Sequence, residues 1–177
     1  MLKATDIANF FISLSNSAEE GHITNMKVNK LVYFAQAWSM VTLKQKLFDE
    51  KIEAWPHGPV IPSVYNAFNQ YKSHNINEPC GIFDENVFTS EQLDLLTDVA
   101  LAYGAYSAAY LKGLTHKSGT PWNMVYEEHK RNVIPDKMIY NYFKKQPPMF
   151  KNSIEKENFV GYRDDDGYLV LPKELNE

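Results

Sequence analysis

The sequence predicts a mainly α-helical fold, with one helical domain, a small β element and a C-terminal β-hairpin. Three observations support this. Apolar residues recur at helical spacing through most of the chain, capping residues precede several of these runs, and strand-like alternation is confined to two short stretches. The length of 177 residues favours one domain with a sizeable core.

Two helices are predicted in the first part of the chain. The first spans Lys3 to Ala18, and Thr5 or Asp6 can cap its start. Thr24 offers an N-cap for the second, Asn25 to Leu43. The apolar stripe of this second helix is expected to consist of Val28, Leu31, Ala35 and Trp38, broadened by Val32 and Tyr33.

A short strand, Ile52 to Trp55, is predicted from its alternation of apolar and polar residues between turn formers. Leu47–Phe48 is either the antiparallel mate of this strand or a plug for the core. The Pro/Gly segment 55–60 follows, in which two prolines restrict φ and Gly58 permits a positive φ. Because the backbone dihedral angles are restricted at so many of these few positions, the path of the backbone in this segment is expected to matter for the protein.

Five further helices are predicted, most of them from a start signal. They are Pro62 to about Tyr71, a helix opened by the capping box Thr89–Gln92 and stopped at Gly104, a helix capped by Ser107 and running through Leu114, a helix that begins at Thr120–Pro121 and ends near His129, and a helix opened by Pro135 with Met138, Ile139, Tyr142 and Phe143 inward. The polar stretch Lys72 to Val87 is expected to be a loop of moderate length.

The character of the chain changes after Pro147–Pro148. Residues 1–146 are therefore predicted to form the helical domain, and residues 147–177 a linker and a hairpin extension. The hairpin is expected from Phe159 to Leu171 with Asp166–Gly167 at its tip. Because an isolated hairpin is marginal in water, it is expected to pack on the helices or on a partner.

Composition argues against several classes of function. The formal net charge is −4, whereas non-specific nucleic-acid binding needs a basic face, so a nucleic-acid partner is not expected. Cys80 is the single cysteine, which excludes an internal disulfide and a thiolate zinc site. There is no apolar signal run and no stretch of roughly 20 apolar residues that could span a membrane. We therefore expect a cytoplasmic protein.

Five lysines lie near one another in sequence and form either a local basic patch or a solvated face, of which the solvated face is favoured. They are Lys27, Lys30, Lys44, Lys46 and Lys51. The first two fall beside the apolar stripe of the second helix, where their stems could run along apolar surface.

No catalytic, cofactor or metal site is predicted. The five histidines include no His-Glu-x-x-His pattern, and the chain has no nucleophile elbow, phosphate loop or dinucleotide fingerprint. His116 is expected to cap the preceding helix rather than to act chemically. Trp55 and Trp122 are expected to anchor the segment 55–60 against the last helices, and either one would be a leading interface candidate if it were exposed.

Four motifs in series carry a resemblance to a known family. They are Lys27-Val28-Asn29-Lys30-Leu31-Val32-Tyr33-Phe34-Ala35, Leu47-Phe48-Asp49-Glu50-Lys51-Ile52-Glu53-Ala54-Trp55, Trp55-Pro56-His57-Gly58-Pro59-Val60, and Leu114-Thr115-His116 with Pro121-Trp122. In order and spacing they resemble the Panacea domain, the SocA-type, GepA-like domain of antitoxins and phage-associated proteins. The resemblance covers roughly Met1 to Lys145.

The resemblance implies a helical, non-enzymatic domain that binds and neutralises a protein toxin encoded by a neighbouring gene, as in a type II toxin–antitoxin system of the kind that a prophage can carry. Two alternatives stay open: an adaptor that delivers the toxin to a protease, and a hydrolase that uses His57 and His116. The expected partner-binding residues are Trp55, His57, Tyr65, His116 and Trp122.

Overall fold

The computed structural model describes residues 1–17, 22–149, 162–163 and 169–170. Over these residues the fold is mainly α-helical, as predicted, with a small two-stranded sheet in the helical part. The helices are α1 Ala4–Asn16, α2 Asn25–Thr42, α3 Pro62–Phe68, α4 Ser90–Tyr103, α5 Ala108–His116, α6 Pro121–Val125 and α7 Asp136–Phe143. The strands are β1 Glu53–Trp55, β2 Gly58–Val60, β3 Tyr162–Arg163 and β4 Leu169–Val170.

Helix α2 lies at the centre of the fold. Helices α1, α3, α4, α5 and α7 and strand β2 all pack against it, so its buried positions run almost without interruption from Asn25 to Met40. The predicted stripe is therefore too narrow, since α2 is buried on every face. The predicted solvated lysine face is wrong for Lys27 and Lys30, which are 5% and 0% exposed.

An aromatic cluster joins α2 to α4 and α7. The rings of Phe34 and Tyr103 stack with centroids 4.3 Å apart, and the Trp38 indole Nε1 donates to the Tyr103 hydroxyl at 2.9 Å. Phe143 packs edge-on against Phe34 and Trp38 from α7. Aromatic pairs in these geometries stabilise beyond the area they bury, so the cluster fixes α4 and α7 on the central helix.

The predicted N-caps of α2, α4, α5 and α6 are confirmed, whereas the expected cap of α1 by Thr5 or Asp6 is wrong, since Lys3 is the N-cap. The hydroxyls of Thr24, Thr89, Ser107 and Thr120 each accept a hydrogen bond from a backbone N–H of the first turn that follows. In helix α1 the acceptor lies within the helix: the Asp6 carboxylate in the first turn accepts a hydrogen bond from the backbone N–H of Lys3 at 2.8 Å. These bonds satisfy amides that would otherwise lack partners at helix ends.

Helices α3 and α6 end well before their predicted ends, whereas α1 and α2 end within one turn of theirs. Helix α3 stops at Phe68 and a turn of 3₁₀ helix, Asn69–Tyr71, continues it. Helix α6 stops at Val125 rather than near His129, because the Asn132 side chain donates to the Val125 carbonyl at 2.9 Å and the chain turns back. The predicted loop before α4 contains one short 3₁₀ helix, Glu85–Val87.

Strand β1 pairs antiparallel with β2, with Trp55 opposite Gly58. The expectation that Leu47–Phe48 is the mate of β1 is wrong, and the alternative of a core plug is confirmed, since both residues are buried. Gln36 of α2 holds them: its Nε2 donates to the Phe48 carbonyl at 2.8 Å, and its Oε1 accepts from the Leu47 amide at 2.8 Å.

The second edge of β1 is covered by a segment that the sequence pattern did not reveal. The Ala54 amide donates to the Asn132 carbonyl, and the Ile134 amide donates to the Ile52 carbonyl, both at 2.8 Å. Glu53 and Val133 form an antiparallel bridge between these bonds. Strand β1 is therefore enclosed on both sides, which protects its backbone from pairing with other chains.

Strands β3 and β4 are antiparallel, with Tyr162 opposite Val170. The tip and the outer parts of the predicted hairpin lie outside the described residues. The complete hairpin, its packing and the division between residues 1–146 and 147–177 therefore stay predictions.

Replacement of Gln36 by alanine tests the role of this side chain in holding the core plug. We expect Gln36→Ala to lower the free energy of unfolding by about 3 kcal/mol, because it leaves the Phe48 carbonyl and the Leu47 amide buried without their partner. Urea unfolding measures the change. Gln70→Ala, at an exposed position, is the matched control and should change stability by less than about 0.5 kcal/mol. Equal effects of the two substitutions would contradict the role assigned to Gln36.

Candidate functional site

The turn between β1 and β2, residues Trp55 to Gly58, is named the corner. Gly58 has φ +102°, which confirms the predicted positive φ. A Cβ atom at Gly58 would lie 2.8 Å from both Lys30 Cε and Thr115 Oγ1. Glycine is thus required twice, for its backbone conformation and for the close approach of α2 and α5 to the corner.

Lys30 lies beneath the corner and is completely buried. Its Nζ donates to the Pro59 carbonyl at 2.8 Å. Burial lowers the pKa of Lys30 to about 7, and the positive charge of Lys112 acts in the same direction. An amine shielded from water is costly unless it has a hydrogen-bond partner, and the Pro59 carbonyl supplies that partner to Lys30.

Two asparagines of α2 hold the chain on the far side of the corner. The Asn29 side chain accepts from the Ile61 amide at 3.0 Å and donates to the Asn25 side chain at 2.9 Å. Asn25 in turn donates to the Tyr65 carbonyl at 3.0 Å. Sequence reasoning did not assign a role to these residues, although polar side chains at i and i+4 on an otherwise apolar helix were a signal for it.

His116 and Trp122 hold the corner from behind. The Trp122 indole Nε1 donates to the Trp55 carbonyl at 2.8 Å. His116 Nε2 lies 3.3 Å from the Pro56 carbonyl oxygen, its Nδ1 lies 2.8 Å from the Lys112 carbonyl oxygen, and its ring packs on Trp122 with centroids 3.7 Å apart. Both side chains therefore position backbone, and the expectation that Trp122 is a core anchor is confirmed by its burial.

Trp55 and Tyr65 form the outer face of the corner. Their ring centroids are 4.9 Å apart, and the Arg131 guanidinium lies 4.2 Å from the centroid of the Trp55 ring on the surface. The indole Nε1 of Trp55 donates to Glu53 Oε2 at 2.8 Å. Trp55 is only half-buried and Tyr65 is 38% exposed, so the expectation that Trp55 is a core anchor is corrected to a surface position.

A groove with a volume of about 760 Å³ opens beside the corner, between α2, α3 and the start of α5. We refer to it as the corner groove. Trp55, His57 and Tyr65 line it, while His116 and Trp122 lie behind the corner. The five residues predicted for partner binding are thus brought to one place, three at the surface and two in support. Their role in binding stays a prediction.

The surroundings of His57 differ from those of a histidine base in a hydrolase. Burial and the positive charges of Lys112, Lys30 and His116 lower the pKa of His57, and its Nδ1 lies 3.1 Å from Lys112 Nζ. A histidine base in a hydrolase is normally oriented by a carboxylate, whereas the neighbouring charges here are cationic. His116 has both ring nitrogens directed at backbone carbonyls, which suits it to positioning.

Features of other kinds of site are missing from the part of the chain that the structure describes. Its residues contain no group of three or more histidine, cysteine, aspartate or glutamate side chains that could hold a metal ion. None of the described helices combines the length and the apolar character needed to cross a membrane. Cys80 is exposed, and its backbone is tied to the Asn9 side chain by two hydrogen bonds.

Residues 28–123 match the family model described as "Antitoxin SocA-like, Panacea domain". The chain is also similar to Antitoxin SocA of Caulobacter vibrioides (strain NA1000 / CB15N). The two are 28% identical over 154 residues, which cover 76% of this chain and 82% of the relative. No solved structure matches the chain.

Gly58→Ala tests the close packing at the corner. The substitution should lower the free energy of unfolding by about 2–4 kcal/mol, since it combines an unfavourable φ with contacts to the buried Lys30 and to Thr115. Gly113→Ala is the control, and it should change the free energy of unfolding in the opposite direction. No atom lies within 4 Å of the position that a Cβ would take at this helical glycine, and alanine should stabilise α5 by about 0.5–1 kcal/mol. Both values come from urea unfolding, and tolerance of alanine at position 58 would contradict the packing described.

The lowered pKa of Lys30 predicts a dependence of stability on pH. Between about pH 7 and the ordinary lysine pKa, the unfolded state binds a proton at Lys30 that the folded state has released. The stability of the wild type should therefore rise with pH relative to Lys30→Met, by up to about 1.4 kcal/mol per pH unit near pH 8–9. The ordinary pKa of histidine already lies below this pH range, and the pKa of His57 is lowered further. The titration of His57 therefore does not contribute to the slope in this range. Urea unfolding of both proteins from pH 6 to 9 checks the slope, and a constant difference would show that Lys30 titrates normally.

Proposed function

The chain belongs to the family of SocA-like antitoxins with a Panacea domain, and we propose that it is an antitoxin that binds and neutralises a protein toxin by direct contact. The toxin would be the product of a neighbouring gene, in a type II arrangement. One observation carries the proposal: the matched segment, residues 28–123, contains the corner together with Lys30, Lys112, His116 and Trp122, which hold or flank it.

We place the contact surface at the corner. Trp55, His57 and Tyr65 are accessible there, and aromatic side chains supply much of the binding energy at protein interfaces when they enter a partner's pocket. His116 and Trp122 support this surface through hydrogen bonds and close approaches to the carbonyls of Trp55 and Pro56. A surface that is already rigid loses less conformational entropy on binding, which favours affinity.

Neutralisation by contact requires no chemistry from the antitoxin. The toxin is inactivated when a bound surface covers its active site or its substrate site, and the proposed role is accordingly non-enzymatic. The proposal places both proteins in the cytoplasm, where the products of neighbouring genes meet as they are made. It also assigns residues 147–177 to an extension of the helical domain that is available for a second contact.

Co-expression with the neighbouring gene tests the proposal. The neighbour's product should arrest growth when expressed alone, and growth should return when this chain is present and bound to it in a pull-down. Measuring the amount of the neighbour's product in the same cells separates sequestration, in which it accumulates in the complex, from delivery to a protease, in which it disappears. A harmless or unbound neighbour would contradict the proposal.

Tyr65→Ala tests the location of the surface. Loss of an exposed ring at an interface should weaken the complex roughly tenfold, because it removes contact area and the packing partner of Trp55. Isothermal titration calorimetry gives the affinity, and circular dichroism shows that the variant is folded. Ile82→Ala is the control, since Ile82 is an apolar residue, 97% exposed, that does not line the corner groove. Unchanged affinity in Tyr65→Ala would place the interface elsewhere.

A further inference from the structure

The corner groove carries charge of one sign. Five basic side chains line it: His22, Lys30, His57, Lys72 and Lys112. Among the described residues that line it, none is aspartate or glutamate. The chain as a whole has 22 aspartate and glutamate side chains against 18 lysine and arginine side chains, so a surface of average composition would include both signs. The groove is therefore a basic site on an acidic protein.

The basic groups at the floor of the groove lie close together, and Lys112 donates a hydrogen bond to the neutral ring of His57. Lys112 Nζ lies 3.1 Å from His57 Nδ1, and the charge of Lys112 also acts on the buried Lys30. Lys30 Nζ has the Pro59 carbonyl as its hydrogen-bond acceptor within the described part of the chain. The lowered pKa values of Lys30 and His57 reflect burial together with this positive potential. A bound anion would reverse the electrostatic part of that effect.

Two helices add to the same potential. The first residues of α2, Asn25 and Met26, and of α5, Ala108 and Ala109, belong to the lining of the groove. The N-terminal end of a helix carries a partial positive charge from its aligned peptide dipoles. These ends reinforce the field of the side chains but would not define a site without them.

The wall of the groove is apolar and aromatic. It includes Met26, Trp55, Val60 and Tyr65, and the two rings are 4.9 Å apart. A ligand that matches both features must carry negative charge for the floor and a large apolar group for the wall. An extended acidic peptide segment meets this requirement, because successive side chains point to opposite sides of its backbone.

We propose that the corner groove binds an acidic segment of the partner protein, with its carboxylates received by Lys72 and Lys112 and a neighbouring apolar side chain packed on Trp55 and Tyr65. This inference rests on the proposed function, since the partner is the toxin. A free phosphate is a poorer match, because its compact tetrahedron of oxygens calls for a close cradle of amides or guanidinium groups, whereas the basic groups here are spread along an apolar wall.

Charge reversal tests the inference on the wild-type complex. The double variant Lys72→Glu, Lys112→Glu should bind the neighbour's product at least about tenfold more weakly, since it turns two attractions into repulsions. The affinity of the wild type should fall as salt rises from about 50 to 300 mM, and that of the variant should fall less. The matched control, Lys137→Glu, Lys145→Glu, reverses two exposed lysines outside the groove and should retain wild-type affinity.

The outcomes separate the two proposals. If the wild type binds the neighbour's product and the Lys72→Glu, Lys112→Glu variant binds equally well, the groove inference is overturned while the proposed function stands. If the wild type does not bind it at all, the proposed function fails, and the groove is then probed directly with a fluorescein-labelled peptide that alternates glutamate with leucine.

The peptide experiment has its own control. A peptide with lysine in place of glutamate should not bind, and binding of the acidic peptide should be lost in the Lys72→Glu, Lys112→Glu variant; that result supports the groove independently of the toxin. If the wild type binds neither the neighbour's product nor the acidic peptide, the inference is overturned. Displacement of the peptide by an equal concentration of inorganic tripolyphosphate would assign the groove to a free anion and also overturn it.

Discussion

The hydrogen bond from the buried Lys30 amine to the Pro59 carbonyl is the contact on which the geometry of the site depends. It ties the central helix to the small sheet at a point where water is excluded. Because the lysine stem passes under Gly58, that position has room for a hydrogen atom and not for a methyl group. The same approach brings Thr115 of α5 against the corner. Helix, sheet and α5 are therefore fixed relative to one another through one side chain and one glycine.

The other polar residues of α2 extend this arrangement along the helix. Gln36 holds the core plug, and Asn29 holds the backbone after β2, each through donors and acceptors that only one geometry satisfies. Apolar packing alone tolerates small shifts, whereas buried polar groups lose free energy when their partners move. A central helix whose polar side chains are directed at loops can thus stabilise irregular backbone that lacks the regular hydrogen bonds of a helix or a sheet. The consequence for function is a corner whose outer face is held in place before a partner arrives.

The match to SocA-like antitoxins covers the corner and its supports, so the proposed role and the structural centre of the domain coincide. Residues behind the corner, such as His116 and Trp122, act on its carbonyls, while Trp55 and Tyr65 remain available at the surface. The proposed charge preference of the corner groove would add to this shape, because basic side chains line the groove and acidic ones do not. Shape from the buried supports and charge from the groove are two contributions to the proposed surface, and Lys30 takes part in both.

The sequence by itself determined the fold class, the family resemblance, the helix starts and the positive φ of Gly58, because caps and turns depend on residues within about three positions of each other. It also marked the five residues that meet at the corner. The tertiary structure alone decided that β1 pairs with β2 and with residues 132–134, that α6 ends at Val125, and that Lys30 is buried rather than solvated. These outcomes rest on contacts between residues far apart in the chain. A lysine stem suits either a surface or a buried path, and only the position of Pro59 across the fold selects between them.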